Sequence, residues 1–182
     1  MTSGSRSTIL WPIVLLLVVP LGQTLRSETL PSHVYRLRFY YTHSNERLDI
    51  VYRRGETYLP DSLAKLDHYL HDSRAGDVHH FDPHLFDLLY DLTSSVGDNG
   101  GEIDVVCGYR TPGSNEFLGT RGRNTGVAVH SLHMRAEAID IRLPRFATAK
   151  VRDAALHVQR GGVGYYRDSN FVHVDVGPVR RW

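Results

Sequence analysis

His130-Ser131-Leu132-His133-Met134-Arg135-Ala136-Glu137-Ala138-Ile139-Asp140 sets a histidine and an aspartate, His133 and Asp140, seven residues apart at the start of a strand-like pattern. From Glu137 to Arg142 the residues alternate, with Ile139 and Ile141 on one side and Ala138, Asp140 and Arg142 on the other, the period of a half-buried β-strand. Asp140 therefore faces away from the isoleucines, and His133 lies in the turn leading into the strand. Downstream, Phe171 to Val176 alternates in the same way, so that Val172, Val174 and Val176 point into the core while His173 and Asp175 share the opposite face. Two adjacent strands built like this present His133, Asp140 and His173 to one point. Histidine nitrogen and carboxylate oxygen suit zinc, and three protein ligands leave a fourth position open for a water that the metal acidifies. A lone histidine beside valines is ordinarily a structural residue; the three residues together point to a metal site.

The pattern Ser131-x-His133-x-x-Ala136-x-Ala138-x-Asp140 resembles the Ser-x-His-x-x-Gly-x-Ala-x-Asp signature of the zinc murein peptidases, which include D-alanyl-D-alanine carboxypeptidases and dipeptidases. Cys107-Gly108-Tyr109-Arg110-Thr111, Arg160-Gly161-Gly162-Val163-Gly164-Tyr165-Tyr166 and Ser169-Asn170-Phe171-Val172-His173-Val174-Asp175-x-Gly177-Pro178-Val179-Arg180-x-Trp182 narrow the resemblance to the murein endopeptidase K type, over roughly residues 30 to 182. The resemblance implies a D-alanyl-D-alanine peptidase/hedgehog-like fold. It also implies a zinc endopeptidase acting on crosslinked stem peptides of peptidoglycan, with His133, Asp140 and His173 as ligands and Arg110 binding a substrate carboxylate or the tetrahedral intermediate. Two positions depart from the pattern. Ala136 stands where glycine is usual, so a left-handed backbone there is strained. Asn170 stands three residues before His173, where wider relatives carry an acidic catalytic base. Asp175 is the nominee for the base, with Asp168 in reserve.

Charge gives no case for nucleic acid: 21 Lys+Arg stand against 20 Asp+Glu, and the first two dozen residues carry only Arg6. Of the 11 histidines, His33, His43, His68, His71, His79, His80 and His84 are scattered through the first half and read as surface or half-buried residues. Cys107 is the one cysteine, so no internal disulfide forms; its place in the apolar run Ile103 to Cys107 predicts a buried, inert thiol with a raised pKa.

The apolar run Ile9 to Leu21, preceded by Arg6, has the length of a signal-peptide core and is short for a spanning helix. Residues 1–24 are therefore a signal peptide or an uncleaved N-terminal anchor, and residues 25–182 one zinc peptidase domain. This predicts export to the periplasm, with the membrane involved only through that segment. Val34 to Tyr41 and Leu48 to Tyr52 read as a β-hairpin ended by Gly55. Pro60 opens a leucine-striped helix with Asp61 or Ser62 as cap, and Asp82 caps a second over Pro83 to Val96. Glu102 to Cys107 is a strand that delivers Gly108-Tyr109-Arg110 at its end, where loops commonly hold site residues. Arg110 binds substrate there or pins the loop by a salt bridge. Thr111 to Val129 reads as a long polar active-site loop. Phe146 to Val158 is a further helix, and Val163 to Tyr166 a strand joined by a tight turn to the His173 strand.

These elements compose an α+β domain whose small antiparallel sheet carries the zinc site and is flanked by helices. Ser131, Tyr109 and Arg110 are the substrate-binding candidates, and His130 is an orienting or an exposed residue outside the ligand set. Two rivals remain: a non-catalytic zinc-containing murein-binding module, favoured by Asn170, and a D-alanyl carboxypeptidase.

Overall fold

The computed structural model describes residues 32–121 and 126–182. The N-terminal apolar run, read as a signal or anchor, lies outside the described residues. Among these, no helix is long and apolar enough to cross a membrane.

Eight strands form one sheet in the order β3-β2-β1-β4-β5-β7-β6-β8. They are β1 (Val34–Tyr41), β2 (Glu46–Arg54), β3 (Thr57–Tyr58), β4 (Glu102–Cys107), β5 (Ala138–Arg142), β6 (Gly162–Tyr166), β7 (Phe171–Asp175) and β8 (Arg180–Arg181). The sheet is mixed and larger than the small antiparallel sheet expected, because β1 runs parallel to β4 and β6 parallel to β8. Chain order accounts for the first: α1 (Pro60–Tyr69) and α2 (Pro83–Ser95) lie between the hairpin and β4, and a helical crossover returns the chain parallel.

One face of the sheet is covered by helices. Leu37, Phe39, Tyr41, Ile50, Tyr52, Ile103, Val105, Ile139, Ile141, Val172 and Val174 meet the leucine stripes of α1 and α2 and the Val151 and Ala155 side of α4 (Thr148–Val158). Asp82 caps α2 as its position predicts, accepting from the His84 N–H at 2.9 Å. At α1 the cap is Leu59, without a side-chain bond, and Pro60 alone marks the start. Asp87 of α2 fastens the hairpin edge, accepting from the Tyr52 hydroxyl at 2.8 Å, the Tyr58 hydroxyl at 2.6 Å and Arg53 Nη1 at 3.2 Å.

The segment expected to be all loop holds α3 (Pro112–Gly119), whose cap Thr111 accepts from the Ser114 N–H at 3.1 Å. The Thr-Pro pair is a helix-start signal that the glycines at 113 and 119 obscured.

Candidate metal centre

Period and register together build the site. Asp140 of β5 pairs directly with His173 of β7, on the face opposite the isoleucines and valines. Next door, a register shift between Val105 and Cys107 brings Cys107 opposite Asp140. Simple alternation would send Cys107 to the core with Ile103 and Val105; the bulge turns it to the site instead. His133 arrives from a 3-10 turn, Leu132–Arg135, whose cap Ser131 accepts from the His133 N–H at 3.4 Å and which ends in Ala136 at φ 53°, ψ 36°. Ala136 does adopt the left-handed conformation that glycine favours, at a cost of roughly 1–2 kcal/mol.

His133 Nε2, Asp140 Oδ1 and His173 Nδ1 converge: the three separations are 3.1 Å, 3.1 Å and 2.9 Å. Each imidazole spends its other nitrogen outward. His133 Nδ1 donates to the Gly108 carbonyl at 2.7 Å, and His173 Nε2 donates to Asp175 Oδ2 at 3.0 Å. With both ring protons directed away, three lone-pair atoms face one another, an arrangement that requires a positive charge between them. Without a metal, a proton serves: burial opposes the charge on His133, but the Asp140 carboxylate outweighs it and pushes His133 up to about 9. Burial likewise opposes ionisation of Asp140, yet the two histidines hold its carboxyl well below the usual range. The set fits a tetrahedral N/O metal, for which bonds of about 2.0–2.1 Å set edges of roughly 3.3 Å.

Cys107 offers a rival third donor, its Sγ lying within 4.8 Å of ligand atoms of His133 and Asp140. His173 is the better one, because its Nδ1 completes the tight triangle whereas Cys107 Sγ accepts from Arg110 Nε at 3.0 Å. The thiol's pKa is nonetheless not raised as expected. Burial raises its pKa, but the charges of His133 and Arg110 outweigh that and bring it below the ordinary value.

The two candidate catalytic residues sit behind the triangle. Arg110 Nη2 donates to Asp140 Oδ2 at 2.9 Å, and Nη1 reaches Asn115 Oδ1 of α3 at 3.4 Å. The guanidinium thus turns the other oxygen of Asp140 toward the histidines while still lining the cavity. Asp175, the nominee for the base, is fully buried. Its Oδ1 accepts from Gly162 N, Gly177 N and Arg180 Nη1, and its Oδ2 from His173 Nε2 and Arg180 Nη2. Burial alone would raise its pKa, but His173 and Arg180 hold it far below the usual range, so it has neither the access nor the affinity to take a proton from a water. It orients His173.

A cavity of about 440 Å³ opens over the triangle, lined among others by Arg110, His130, Ser131, His133, Asp140 and His173. Asp168 and Tyr109 are not among its lining residues. Tyr109 instead packs against His79, ring centroids 5.0 Å apart. Asn170 sits at φ 54° in the turn before β7 and its side chain binds the Thr148 hydroxyl, beside a different hollow. A left-handed turn explains the asparagine there. Sequence reasoning missed Asn115, whose Nδ2 donates to the Ala128 carbonyl at 3.0 Å and ties Arg110 to the cavity loop. It also missed Trp182 and Tyr166, both on the cavity wall.

Two histidines and an aspartate converging under an open cavity are a donor set that metal-dependent hydrolases use, and comparison of sequences shows a peptidase family. The family described as peptidoglycan L,D-endopeptidase MepK matches residues 30–182. The "probable peptidoglycan L,D-endopeptidase MepK" of Haemophilus influenzae is 40% identical over 146 residues, 80% of this chain and 77% of that protein. The peptidoglycan L,D-endopeptidase MepK of Escherichia coli K12 is 40% identical over 140 residues, 77% of this chain and 75% of its own, and the Shigella flexneri protein of the same name matches equally. The chain belongs to this peptidase family. No solved structure matches it closely enough to compare.

Proposed function

We propose that the chain is a zinc-dependent murein endopeptidase that hydrolyses amide bonds in crosslinked peptidoglycan stem peptides, exported to the periplasm and carrying the D-alanyl-D-alanine peptidase/hedgehog-like fold. The observation that carries this reading is the tight triangle of His133 Nε2, Asp140 Oδ1 and His173 Nδ1 beneath an open cavity, in a chain of this family. His133, Asp140 and His173 would hold the zinc, which when bound supplies Lewis acidity toward a water and the scissile carbonyl.

The chain's own residues do the rest. Gly108 and Asp175 fix the two imidazole tautomers, and Arg110 fixes the rotation of the Asp140 carboxylate. Asp140 is the one carboxylate on the described cavity wall, and residues 122–125 contain none. His130, exposed on that wall three residues before His133, is the imidazole outside the triangle. As the exposed imidazole on that wall it would be the group to take a proton from the attacking water and return it to the leaving amine. Ser131 and Arg110 line the same cavity and would bind substrate there.

The test is digestion of purified sacculi by zinc-loaded protein, with the fragments identified by mass spectrometry. Chelator-sensitive release of fragments cut within the stem peptides is the expected result. Zinc binding and sacculus binding without release would favour the non-catalytic module, which the lack of a free carboxylate in the cavity recommends as the second reading. Loss of terminal D-alanine alone would indicate a carboxypeptidase.

A further inference from the structure

A cross-strand row runs beneath the cavity: Cys107 on β4, Asp140 on β5, His173 on β7 and Gly164 on β6 are successive partners. The first three positions carry side chains of the site; the fourth carries none. A Cβ at Gly164 would come within 2.7 Å of the Trp182 indole. Glycine inside a strand weakens it, and here it makes room for another group's close approach. The space beside His173 therefore belongs to Trp182.

That indole is held from several sides. Its ring centroid lies 5.2 Å from that of His173, and the Arg180 guanidinium lies 5.0 Å from its centre. The Trp182 N–H donates to the Val163 carbonyl at 3.2 Å, and its own carbonyl accepts from Tyr165 N at 3.1 Å. Nε1 donates to the Tyr166 hydroxyl at 3.0 Å, and that hydroxyl donates to the Gly126 carbonyl at 3.2 Å, both residues lining the cavity. Gly126 has φ +70°, and a Cβ there would meet Tyr166 Cε1 at 2.9 Å, so the loop is fitted to the tyrosine ring. Tyr166 in turn stacks on Phe171, centroids 4.4 Å apart at 15°. Despite this anchoring, Trp182 remains 51% exposed and faces the cavity. An indole fixed this firmly and left half open is unlike a core residue; a rigid aromatic face beside a reaction centre is what an apolar part of a substrate binds.

We infer that Trp182, held by Tyr166, is a substrate-positioning residue: its indole face receives the aliphatic side chain of the stem-peptide residue next to the scissile amide, on the His173 side of the cavity. The inference rests on the proposed peptidase reading. Arg110, His130 and Ser131 line the same cavity and offer polar groups to the backbone and carboxylates, so the apolar indole fixes which way the peptide lies.

The test uses the full chain with Trp182→Ala, Trp182→Phe and Tyr166→Phe, the phenylalanine variant of Trp182 keeping the gap over Gly164 filled should the alanine variant fail to fold. With a soluble crosslinked muropeptide as substrate, Trp182→Ala should raise KM about tenfold or more with kcat nearly unchanged, and Trp182→Phe and Tyr166→Phe should raise it less. Zinc content should match wild type in all three. Of the two tryptophans, Trp11 can be replaced by phenylalanine, leaving Trp182 as the one indole. Its fluorescence in zinc-free protein should then shift saturably as muropeptide is added. An unchanged KM, a loss confined to kcat together with zinc, or an indole blind to the peptide would each overturn the inference and leave Trp182 as packing for His173. Wild type that cleaves no murein would overturn the peptidase reading instead, and the fluorescence titration would still decide the role of Trp182.

Discussion

Asp140 and Asp175 stand on neighbouring strands, on the same face of the sheet, each hydrogen bonded to His173, and they occupy opposite situations. Asp140 has one oxygen committed to Arg110 and the other turned to the inner nitrogens of two imidazoles, whose outer nitrogens are bonded to Gly108 and Asp175. Asp175 has both oxygens committed, to two backbone amides, two guanidinium nitrogens and His173. Strand alternation places both carboxylates correctly and says nothing about which is spare. What separates the proposed ligand from the proposed positioning residue is the number of donors the surrounding backbone and the Arg180 side chain bring to each oxygen.

The largest effect should come from the side that faces the triangle. Asp140→Ala or His133→Ala should leave zinc content near zero and lower murein cleavage by about a thousandfold or more, since the metal's contribution is worth several kcal/mol. Zinc analysis alongside sacculus digestion checks it. Asp175→Asn breaks the comparison differently. Loss of an orienting partner should weaken zinc binding roughly 10- to 100-fold, and activity should return in excess zinc. Were Asp175 the proton acceptor, the variant would hold zinc normally and stay silent at every zinc concentration.

Acidity sharpens the contrast further. In metal-free protein His133 is pushed up to about 9 by Asp140, so metal binding below that pH must expel a proton. Zinc affinity should therefore rise with pH, about tenfold per unit between roughly 6.5 and 9, measured by competition with a chelator. The same raised pKa stabilises the metal-free fold fully below about 6.5 and ceases to do so as pH climbs through 9, so the metal-free Tm should fall across that window.

A third aspartate, Asp72, resembles Asp175 in being saturated. It accepts from Thr111 N at 2.7 Å, the Thr111 hydroxyl at 2.9 Å and Arg74 N at 2.9 Å, and so pins the chain just after Arg110. Asp72→Ala should cost about 2 kcal/mol of stability, read from urea unfolding, with zinc binding affected only secondarily. Burial opposes its ionisation, but hydrogen bonds from Ser114, Thr111 and Arg74 lower its pKa to about 2, so its contribution is present above about pH 4 and lost as pH falls through 2. The smallest effect is expected at Ala136, where Ala136→Gly should relieve the left-handed strain and raise stability by up to about 1 kcal/mol.

How far these features can be read from sequence follows the same division. Alternation in Glu137–Arg142 and Phe171–Val176 suffices to put Asp140, His173 and Asp175 on one face, because a buried strand tolerates no slip of one residue. It fails at Cys107, where a bulge reverses the face, and bulges leave no period in the sequence. Parallel pairing of β1 with β4 depends on a crossover through two helices, beyond the reach of local pattern. The saturation of Asp175 depends on Arg180 and on the amides of Gly162 and Gly177, and Trp182 is brought to His173 only by the two-residue strand β8. These are contacts of tertiary structure, and residue types alone do not announce them.

The most direct test is to measure zinc per chain and stem-peptide cleavage of sacculi for wild type and Asp140→Asn side by side, with and without chelator. The triangle predicts one zinc per wild-type chain, cleavage that the chelator stops and excess zinc restores, and neither zinc nor cleavage in the variant. Cleavage that survives both the chelator and the substitution would contradict it.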